Sequence, residues 1–331
     1  MGNLILICLT MPGLLLAQQS HRLAATAANV VVGHYDAATP PVLRVRSGDT
    51  VTIETLGVGT AAMLEAAGVS RERIEPAKYE IAAREPEARG HFLTGPVYVE
   101  GAEPGDTLEV EILDVRMTRD YAYNGMGARG VLADLFGAGR RVIPLDRERR
   151  VAPFAPGVEV PLRPFFGTIG VAPPASAGRI SSSPPGIHAG NLDNKELTAG
   201  SRLFIPVHVA GALFQVGDGH AAQADGEADQ TGLETSLTGD FRMTVRKDMR
   251  NLKWPRAETH THFIAMGLDA SIDKAIRIAA EETVDFLVAA KGLSREDAYV
   301  LMSVGIDLRL TQLVDGVKGA HAMIPKALFV K

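Results

Sequence analysis

The sequence predicts a mainly β protein, with β-sandwich or barrel-like subdomains and a smaller C-terminal α+β part. From residue 29 onward, short runs rich in β-branched residues alternate with turns rich in Gly, Pro, Ser and Asp. In the last quarter of the chain, apolar residues instead recur at helical spacing. The 331 residues are enough for a substantial core and for more than one domain.

The N-terminal β domain is predicted over residues 25–180, where apolar and polar residues alternate in short runs. Its predicted strands are residues 30–32, 42–46, 50–54, 95–100, 107–115 and 167–171. A turn at residues 47–49 joins two of these strands, and an alanine-rich run at residues 61–67 favours a helix that Gly68 ends. Residues 71–89 are charged and predicted to be solvated, whereas residues 120–160 are rich in Gly and Pro and predicted to be irregular.

A central β domain is predicted over residues 181–255, with strands at residues 203–209, 211–216 and 241–246. It carries the polar loops discussed below, and we interpret residues 216–240 as too acidic for a core.

The C-terminal α+β part is predicted over residues 256–331. A helix is expected at residues 271–291, with Ser271 able to cap its start and Gly292 its end. Ser294 is followed by Asp297, as in a capping box, and predicts a second helix. A strand at residues 308–314 completes this part.

The charge and the first residues restrict the partners and the compartment. A net charge of -5 implies no general affinity for nucleic acid or anionic membranes. Residues 4–17 form an apolar run that is too short to span a bilayer and resembles a signal peptide over residues 1–17, with a cut after Ala17. We therefore expect a periplasmic or secreted protein without a stable membrane anchor after processing, and a cytoplasmic one if the leader is not cleaved.

Cysteine usage excludes several chemistries. Cys8 is the only cysteine and lies within the predicted leader. A processed chain would therefore have no disulfide, no thiolate zinc site and no cysteine nucleophile.

Two polar, glycine-rich segments interrupt the apolar strands. The first spans residues 184–194 and contains His188, Asn191 and Asp193. The second contains Asp218 and His220, which are two residues apart and therefore face the same way on an extended backbone. Glu227 and Glu234 follow and could act as a base or as a further ligand. Such a set without sulfur suits Zn²⁺, Mn²⁺ or Fe²⁺.

Other interpretations of these residues are open. Acidic Gly/Asp segments are often solvated turns, and short motifs often occur by chance. His260 and His262 could form a second chelate, although paired histidines on a strand are more often surface residues. Ser181, Ser182 and Ser183 could include a nucleophile, although a turn before two prolines explains them more simply. His21 and His208 lack polar neighbours in the sequence and receive no role.

Several longer segments resemble the acetamidase/formamidase family, in collinear order over about residues 29–329. They are HFLTGPVYVE (91–100), PFFGTIG (164–170), HAGNLDNKEL (188–197), VGDGHAAQ (216–223), DGE (225–227), ETS (234–236) and VDGVKGAHAM (314–323). The resemblance implies a mostly β architecture and hydrolysis of short amides to carboxylate and ammonia. The chain departs from the family pattern at His260, where Pro is usual, and at Ala189, where Gly is more frequent, so no role is carried to His260.

Amide hydrolysis needs an activated water, a stabilised oxyanion and a proton for the departing ammonia. We assign a divalent metal, preferably zinc, to Asp193, Asp218, His220 and Glu234. We assign the proton shuttle to Glu227, and substrate orientation or oxyanion stabilisation to His91, His188 and Asn191. The expected substrates are short linear aliphatic amides such as formamide and acetamide, and we also expect a homo-oligomer.

Two alternatives come from other classes. One is a serine-nucleophile amidase that uses Ser181, Ser182 or Ser183 with Lys195. The other is a non-enzymatic periplasmic protein that binds small amides. The combination of Asp193, Asp218, His220 and Glu227 favours catalysis, because a binding protein does not need the proton-transfer carboxylates.

Overall fold

The structure is a computed structural model that describes residues 18–330. Strands are numbered in chain order. They are β1 Ser20–Leu23, β2 Val30–Val32, β3 His34–Tyr35, β4 Leu43–Arg46, β5 Thr50–Glu54, β6 Phe92–Glu100, β7 Thr107–Met117, β8 Tyr121–Met126, β9 Gly139–Pro144, β10 Val151–Ala155, β11 Val158–Pro161, β12 Phe165–Gly170, β13 Ile180–Ser181, β14 Ala189–Asn191, β15 Arg202–Pro206, β16 Phe214–Ala222, β17 Leu233–Glu234, β18 Leu237–Arg246, β19 Arg256–Glu258, β20 His262–Asp269, β21 Asp307–Gln312 and β22 Lys318–Pro325.

The structure has fewer α-helices than strands. They are α1 Ala61–Ala66, α2 Pro76–Arg84, α3 Ala133–Phe136, α4 Ile272–Lys291 and α5 Arg295–Gly305. Within residues 18–330, none of the helices is long and apolar enough to cross a membrane.

Most strands belong to two large sheets. The first sheet has the order β1-β5-β18-β7-β15-β19-β20-β22-β21. The second has the order β14-β12-β16-β17-β8-β9, and β6 joins it beside β16 and also pairs with β2 and β4. Strands β10 and β11 form a separate two-stranded ribbon, as do β3 and β13. The mainly β prediction is therefore confirmed.

The two large sheets share one apolar core. Phe166 and Phe214 of the second sheet pack against Phe241 of β18 in the first sheet, with ring centroids 5.3 and 5.9 Å from Phe241. All three side chains are buried. Aromatic rings at these separations bury a large apolar area and hold the sheets in a fixed relation. The strands that carry the polar site are therefore supported from behind by the main core.

The C-terminal part places α4 against β20 and β22. Gly267 of β20 permits this contact, because a Cβ at this position would lie 2.0 Å from the Ala275 carbonyl oxygen. The predicted caps are present in part. Gly292 ends α4 in the left-handed conformation, and the Ser294 hydroxyl accepts a hydrogen bond from the Asp297 backbone N–H. Ser271 precedes α4 but makes no side-chain cap.

Three of the local predictions were wrong. Residues 71–89 are not simply solvated, because α2 buries Lys78 and Ile81. Residues 120–160 contain β8, which is largely buried, and β9 to β11, which are largely exposed and therefore lack a clear burial pattern in the sequence. Residues 216–240 are not excluded from the interior, since all nine residues of β16 are buried.

Two other predictions are not decided by the fold. Both large sheets take strands from more than one of the segments 25–180, 181–255 and 256–331, so these domain boundaries stay a prediction. The predicted leader, residues 1–17 with Cys8, lies outside the described residues.

Candidate active site and metal centre

Neighbouring strands of the second sheet bring the predicted ligands together. Asp218 and His220 both lie on β16, two residues apart, and Glu234 lies on β17 directly opposite His220 in the antiparallel register. Asp193 follows β14, on the other side of β12. The side chains of Asp218 and His220 do point to the same place, as their spacing predicted.

The ligand atoms converge on one imidazole nitrogen. His220 Nε2 lies 3.3 Å from Glu234 Oε2, 3.4 Å from Asp218 Oδ2 and 3.5 Å from Asp193 Oδ1. Asp193, His220 and Glu227 form one group whose ligand atoms lie within 4.8 Å of one another, and Asp218, His220 and Glu234 form a second. Because all of these residues are buried, their carboxylates are removed from the solvent that would otherwise stabilise their charge.

The site has the space and the uncommitted coordinating atoms that a cation needs. A Cβ on Gly167 would lie 2.3 Å from Asp193 Oδ1, 2.6 Å from Asp218 Oδ2 and 2.7 Å from His220 Nε2. Buried ligand atoms of His220, Asp193, Glu227 and Glu234 have no hydrogen-bond partner among the described residues. Buried polar groups normally have hydrogen-bond partners. This cluster of oxygen and nitrogen atoms without partners therefore fits a bound divalent ion.

The backbone at three of these carboxylates is unusual. Asp193, Asp218 and Glu227 have φ values of 48°, 55° and 47°. Residues other than glycine rarely adopt this left-handed region, which costs free energy and persists where the surrounding structure enforces it. The strain aims all three side chains into one small volume, as expected at a functional site.

Burial and mutual repulsion govern the charges of the cluster. Burial raises the pKa of Asp193, Glu227 and Glu234 well above the usual range, and neighbouring carboxylates add to the effect. Burial also acts on Asp218, but His91 and His220 outweigh it and hold the pKa of Asp218 below its usual value. Conversely, burial disfavours the charged His220, yet Asp218 raises the pKa of this imidazole. A cation at the centre would relieve the repulsion among these carboxylates.

A cavity of about 210 Å³ opens onto the cluster. Its wall includes the predicted site residues His91, Asn191, Asp193, Asp218, Glu227 and Glu234. The Thr168 hydroxyl donates a hydrogen bond to Asn191 Oδ1, and Thr168 Oγ1 also lies 3.2 Å from Asp218 Oδ2. The cavity therefore joins the buried candidate ligands to a side-chain amide that can contact a substrate.

His91 lies at the edge of the cluster, with Nε2 3.9 Å from Asp218 Oδ2. Its other nitrogen, Nδ1, lies 3.1 Å from the Ser182 hydroxyl and 3.3 Å from the Ser182 carbonyl oxygen. Since Ser182 is fully buried, it holds the imidazole in a fixed orientation.

His188 lies apart from the other predicted residues. It does not line the cavity, and its ring packs edge-on against the Tyr35 ring, with centroids 5.0 Å apart. Burial lowers the pKa of His188 to about 4, which keeps the ring neutral at ordinary pH. A catalytic role for His188 stays a prediction.

The serine alternative lacks its predicted partner. Ser183 lines the cavity, but the Lys195 ammonium is paired with Asp225 at 2.9 Å and lines a different cavity. His262 begins β20 in the first sheet and His260 lies just before it, away from the strands that carry the centre.

Sequence reasoning assigned no role to three residues of the centre. Gly167 and Thr168 lie on β12, and the buried Asp315 lines the same cavity as Asp193. All three fall inside the segments PFFGTIG and VDGVKGAHAM, which were recognised only as matching motifs. Their position inside those segments was the available signal.

The chain matches a protein-family model and several curated proteins. A model of the acetamidase/formamidase family matches residues 19–179 and 175–331. A formamidase of Methylophilus methylotrophus is 30% identical over 212 residues, which cover 48% of this chain and 52% of that protein. The chain spans about half the length of the curated relatives it matches.

Solved structures are similar over nearly the whole chain. A recombinant predicted acetamidase/formamidase from Thermoanaerobacter tengcongensis has a TM-score of 0.82 and 27% identity, over 94% of this chain and 97% of that one. An acetamidase from Bacillus halodurans has a TM-score of 0.79 and 30% identity, over 93% and 98% of the two chains.

Proposed function

Because the chain belongs to the acetamidase/formamidase family, we propose that it hydrolyses short linear amides to carboxylate and ammonia. Formamide and acetamide are the simplest substrates of this class. The relatives named formamidase and acetamidase support the proposal. The observation that carries it is the group of buried, unpaired carboxylates around His220 at one wall of a small cavity.

The donor set also supports a metal. Asp193, Asp218, His220 and Glu234 would hold a divalent ion, and zinc suits a site with one imidazole and several carboxylates. When bound, such an ion polarises the amide carbonyl and lowers the pKa of water.

The remaining groups supply proton transfer and orientation. Glu227 lines the cavity and has a buried oxygen without a described partner, so its carboxylate can accept a proton from the attacking water. The water oxygen bonds to the amide carbon, the C–N bond breaks, and Glu227 passes the proton to the departing nitrogen. Asn191 Oδ1 accepts from Thr168, which leaves the Asn191 amide hydrogens for the substrate oxygen. His91, which Ser182 holds in place, orients the substrate from the cavity wall.

Two variants separate the proposed roles. We expect His220→Ala to lose both the bound metal and amidase activity, because it removes the nitrogen on which the ligand set converges. We expect Glu227→Gln to keep the metal, since it preserves shape, while turnover falls by roughly 10²–10⁴-fold, the usual contribution of a positioned acid or base. The measurements are elemental analysis and ammonia release from formamide and acetamide.

The exposed His260 provides the matched control, and His260→Ala should retain metal and activity. Wild-type protein that carries no stoichiometric metal and is unaffected by chelators would contradict the metal-assisted mechanism. Amide binding without ammonia release would instead favour the small-amide binding protein.

A further inference from the structure

We propose that the preferred substrates are short amides with a carboxylate at the far end of the acyl chain, and that Arg129 binds this carboxylate. The inference rests on the proposed amide hydrolysis and specifies its substrate class. It depends on three features of the cavity: its volume, its apolar wall, and a guanidinium with uncommitted hydrogen-bond donors.

The volume exceeds what the simplest amides need. The cavity measures about 210 Å³. One water takes about 30 Å³ in the liquid, and formamide is roughly the size of two or three waters. Pockets for drug-sized ligands begin at about 300 Å³. The cavity is therefore suited to an amide extended by a few atoms.

The wall next to the polar cluster offers an apolar surface for such an extension. Val32, Val58, Met63 and Phe92 line it, and they come from β2, the segment before α1, α1 itself and β6. Aliphatic and aromatic walls favour methylene groups, because burial removes apolar area from water. An acyl chain of two or three methylenes would be accommodated along this wall.

Arg129 lines the same cavity and brings a positive charge to it. Its side chain is 47% exposed, and Nη1 donates a hydrogen bond to the Ser183 hydroxyl at 3.0 Å. Nη2 lies 4.0 Å from Asp315 Oδ1, which is too long for a hydrogen bond. Since a guanidinium carries five donors in a planar fork, Arg129 can still bind a carboxylate in the two-pronged geometry that arginine favours.

Hydrogen bonds connect Arg129 to the proposed proton shuttle. Its backbone N–H donates to Gln230 Oε1 at 3.0 Å, and the Gln230 N–H donates to the Glu227 carbonyl oxygen at 3.1 Å. Gly127 allows this close approach, because a Cβ there would lie 1.9 Å from Gln230 Oε1. The backbone of Arg129 is thus held close to the catalytic segment, and the bond to Ser183 orients its guanidinium, as a specificity group requires.

The second arginine on the cavity wall is less suited to this role. Arg89 is 69% exposed, and its Nη1 already donates to the carbonyl oxygens of Pro86 and Ala88 at 2.9 and 2.8 Å. Arg129 is therefore the residue to test.

The experiment compares kcat/KM for succinamate with that for levulinamide, in which a methyl ketone replaces the carboxylate at similar size. We expect the wild-type enzyme to prefer succinamate by roughly 10- to 100-fold, since a site built for a polar group discriminates strongly against its loss. Arg129→Gln should abolish most of this preference. Arg202→Gln is the matched control, because Arg202 is 46% exposed, pairs with Glu109 at 3.6 Å and lies outside this cavity.

The outcomes separate this inference from the proposed function. Hydrolysis of formamide and acetamide without a preference for succinamate would overturn the substrate class and leave the amidase proposal intact. If Arg129→Gln lowered kcat/KM equally for both test substrates, Arg129 would act only through its contact with Asp315. That result would also overturn the inference. Absence of ammonia release from every amide would refute both.

Discussion

At the scale of single residues, Gly167 lies where an ion at the proposed metal centre would need space. Its position opposite three ligand atoms predicts that Gly167→Ala places a methyl group where the cation would lie. We expect the variant to lose the bound metal and amidase activity, while the core behind β12 keeps its packing. Elemental analysis and circular dichroism measure the two effects.

The control for this substitution is Gly305→Ala at the end of α5. A Cβ at Gly305 would meet the flexible end of Leu328 at 3.3 Å, so only a small adjustment is needed. This variant should retain metal and activity. If Gly167→Ala also retained stoichiometric metal, the ion would have to lie elsewhere.

The same scale shows what the sequence could predict about the site. The pairs at positions 191 and 193 and at 218 and 220 were recognisable from their spacing and glycine-rich surroundings. The convergence of these pairs could not be derived, because it depends on the register of β16 with β12 and β17. Asp315 was inaccessible to spacing arguments, since it follows Glu234 by a long stretch of chain that belongs to the other sheet.

At the scale of elements, α2 carries a buried lysine that supports the cavity wall. Lys78 Nζ donates to the carbonyl oxygens of Gly57 and Gly59 at 2.5 and 2.6 Å, and Val58 and Gly59 line the cavity. Burial lowers the pKa of Lys78 from 10.5 to about 8, although Glu75 partly opposes this effect. The charged form is thus disfavoured in the folded protein.

The lowered pKa of Lys78 predicts a pH dependence of stability. Between pH 8 and 10.5 the unfolded chain holds a proton on Lys78 that the folded chain has released, so the free energy of unfolding increases with pH. We expect wild-type stability to rise relative to Lys78→Met by roughly 2 to 3 kcal/mol across this window, because each tenfold change in proton affinity corresponds to about 1.4 kcal/mol. Urea unfolding of both proteins between pH 8 and 10 measures the difference. Parallel stability curves would contradict a lowered pKa.

Elements with strong local patterns were predictable, and the others were not. Helix α4 was expected at residues 271–291 and lies at Ile272–Lys291, because its apolar spacing and its final glycine act locally. Strand β16 was truncated in the prediction, since Asp218 and the acidic residues after the strand suggested solvent exposure. Asp218 is nevertheless buried, because it faces the polar cluster of the site and not the solvent.

At the scale of the whole molecule, the contacts of the described fold begin after the predicted cleavage point. The described chain begins its first strand at Ser20, and the Gln19 N–H donates to Asp49 Oδ1 at 2.8 Å. We propose export with cleavage after Ala17, which would leave these contacts intact. N-terminal sequencing of the processed protein should begin near Gln18, and a thiol assay should find none, because Cys8 would be removed. A soluble cytosolic protein that retains Met1 would contradict export.

The dispersal of the centre over the chain has a consequence for its biosynthesis. His91, Asp193 and Asp315 lie far apart in the sequence, so no short stretch of a nascent polypeptide contains the whole site. The ribosome must pass Glu234 before all four proposed ligands exist, and it must pass Asp315 before the cavity wall can close. An ion held at the proposed centre would therefore enter after these segments have been synthesised, and metal availability in the compartment of folding would govern which ion enters. Any metal found in natively produced protein should accordingly record where the chain folded.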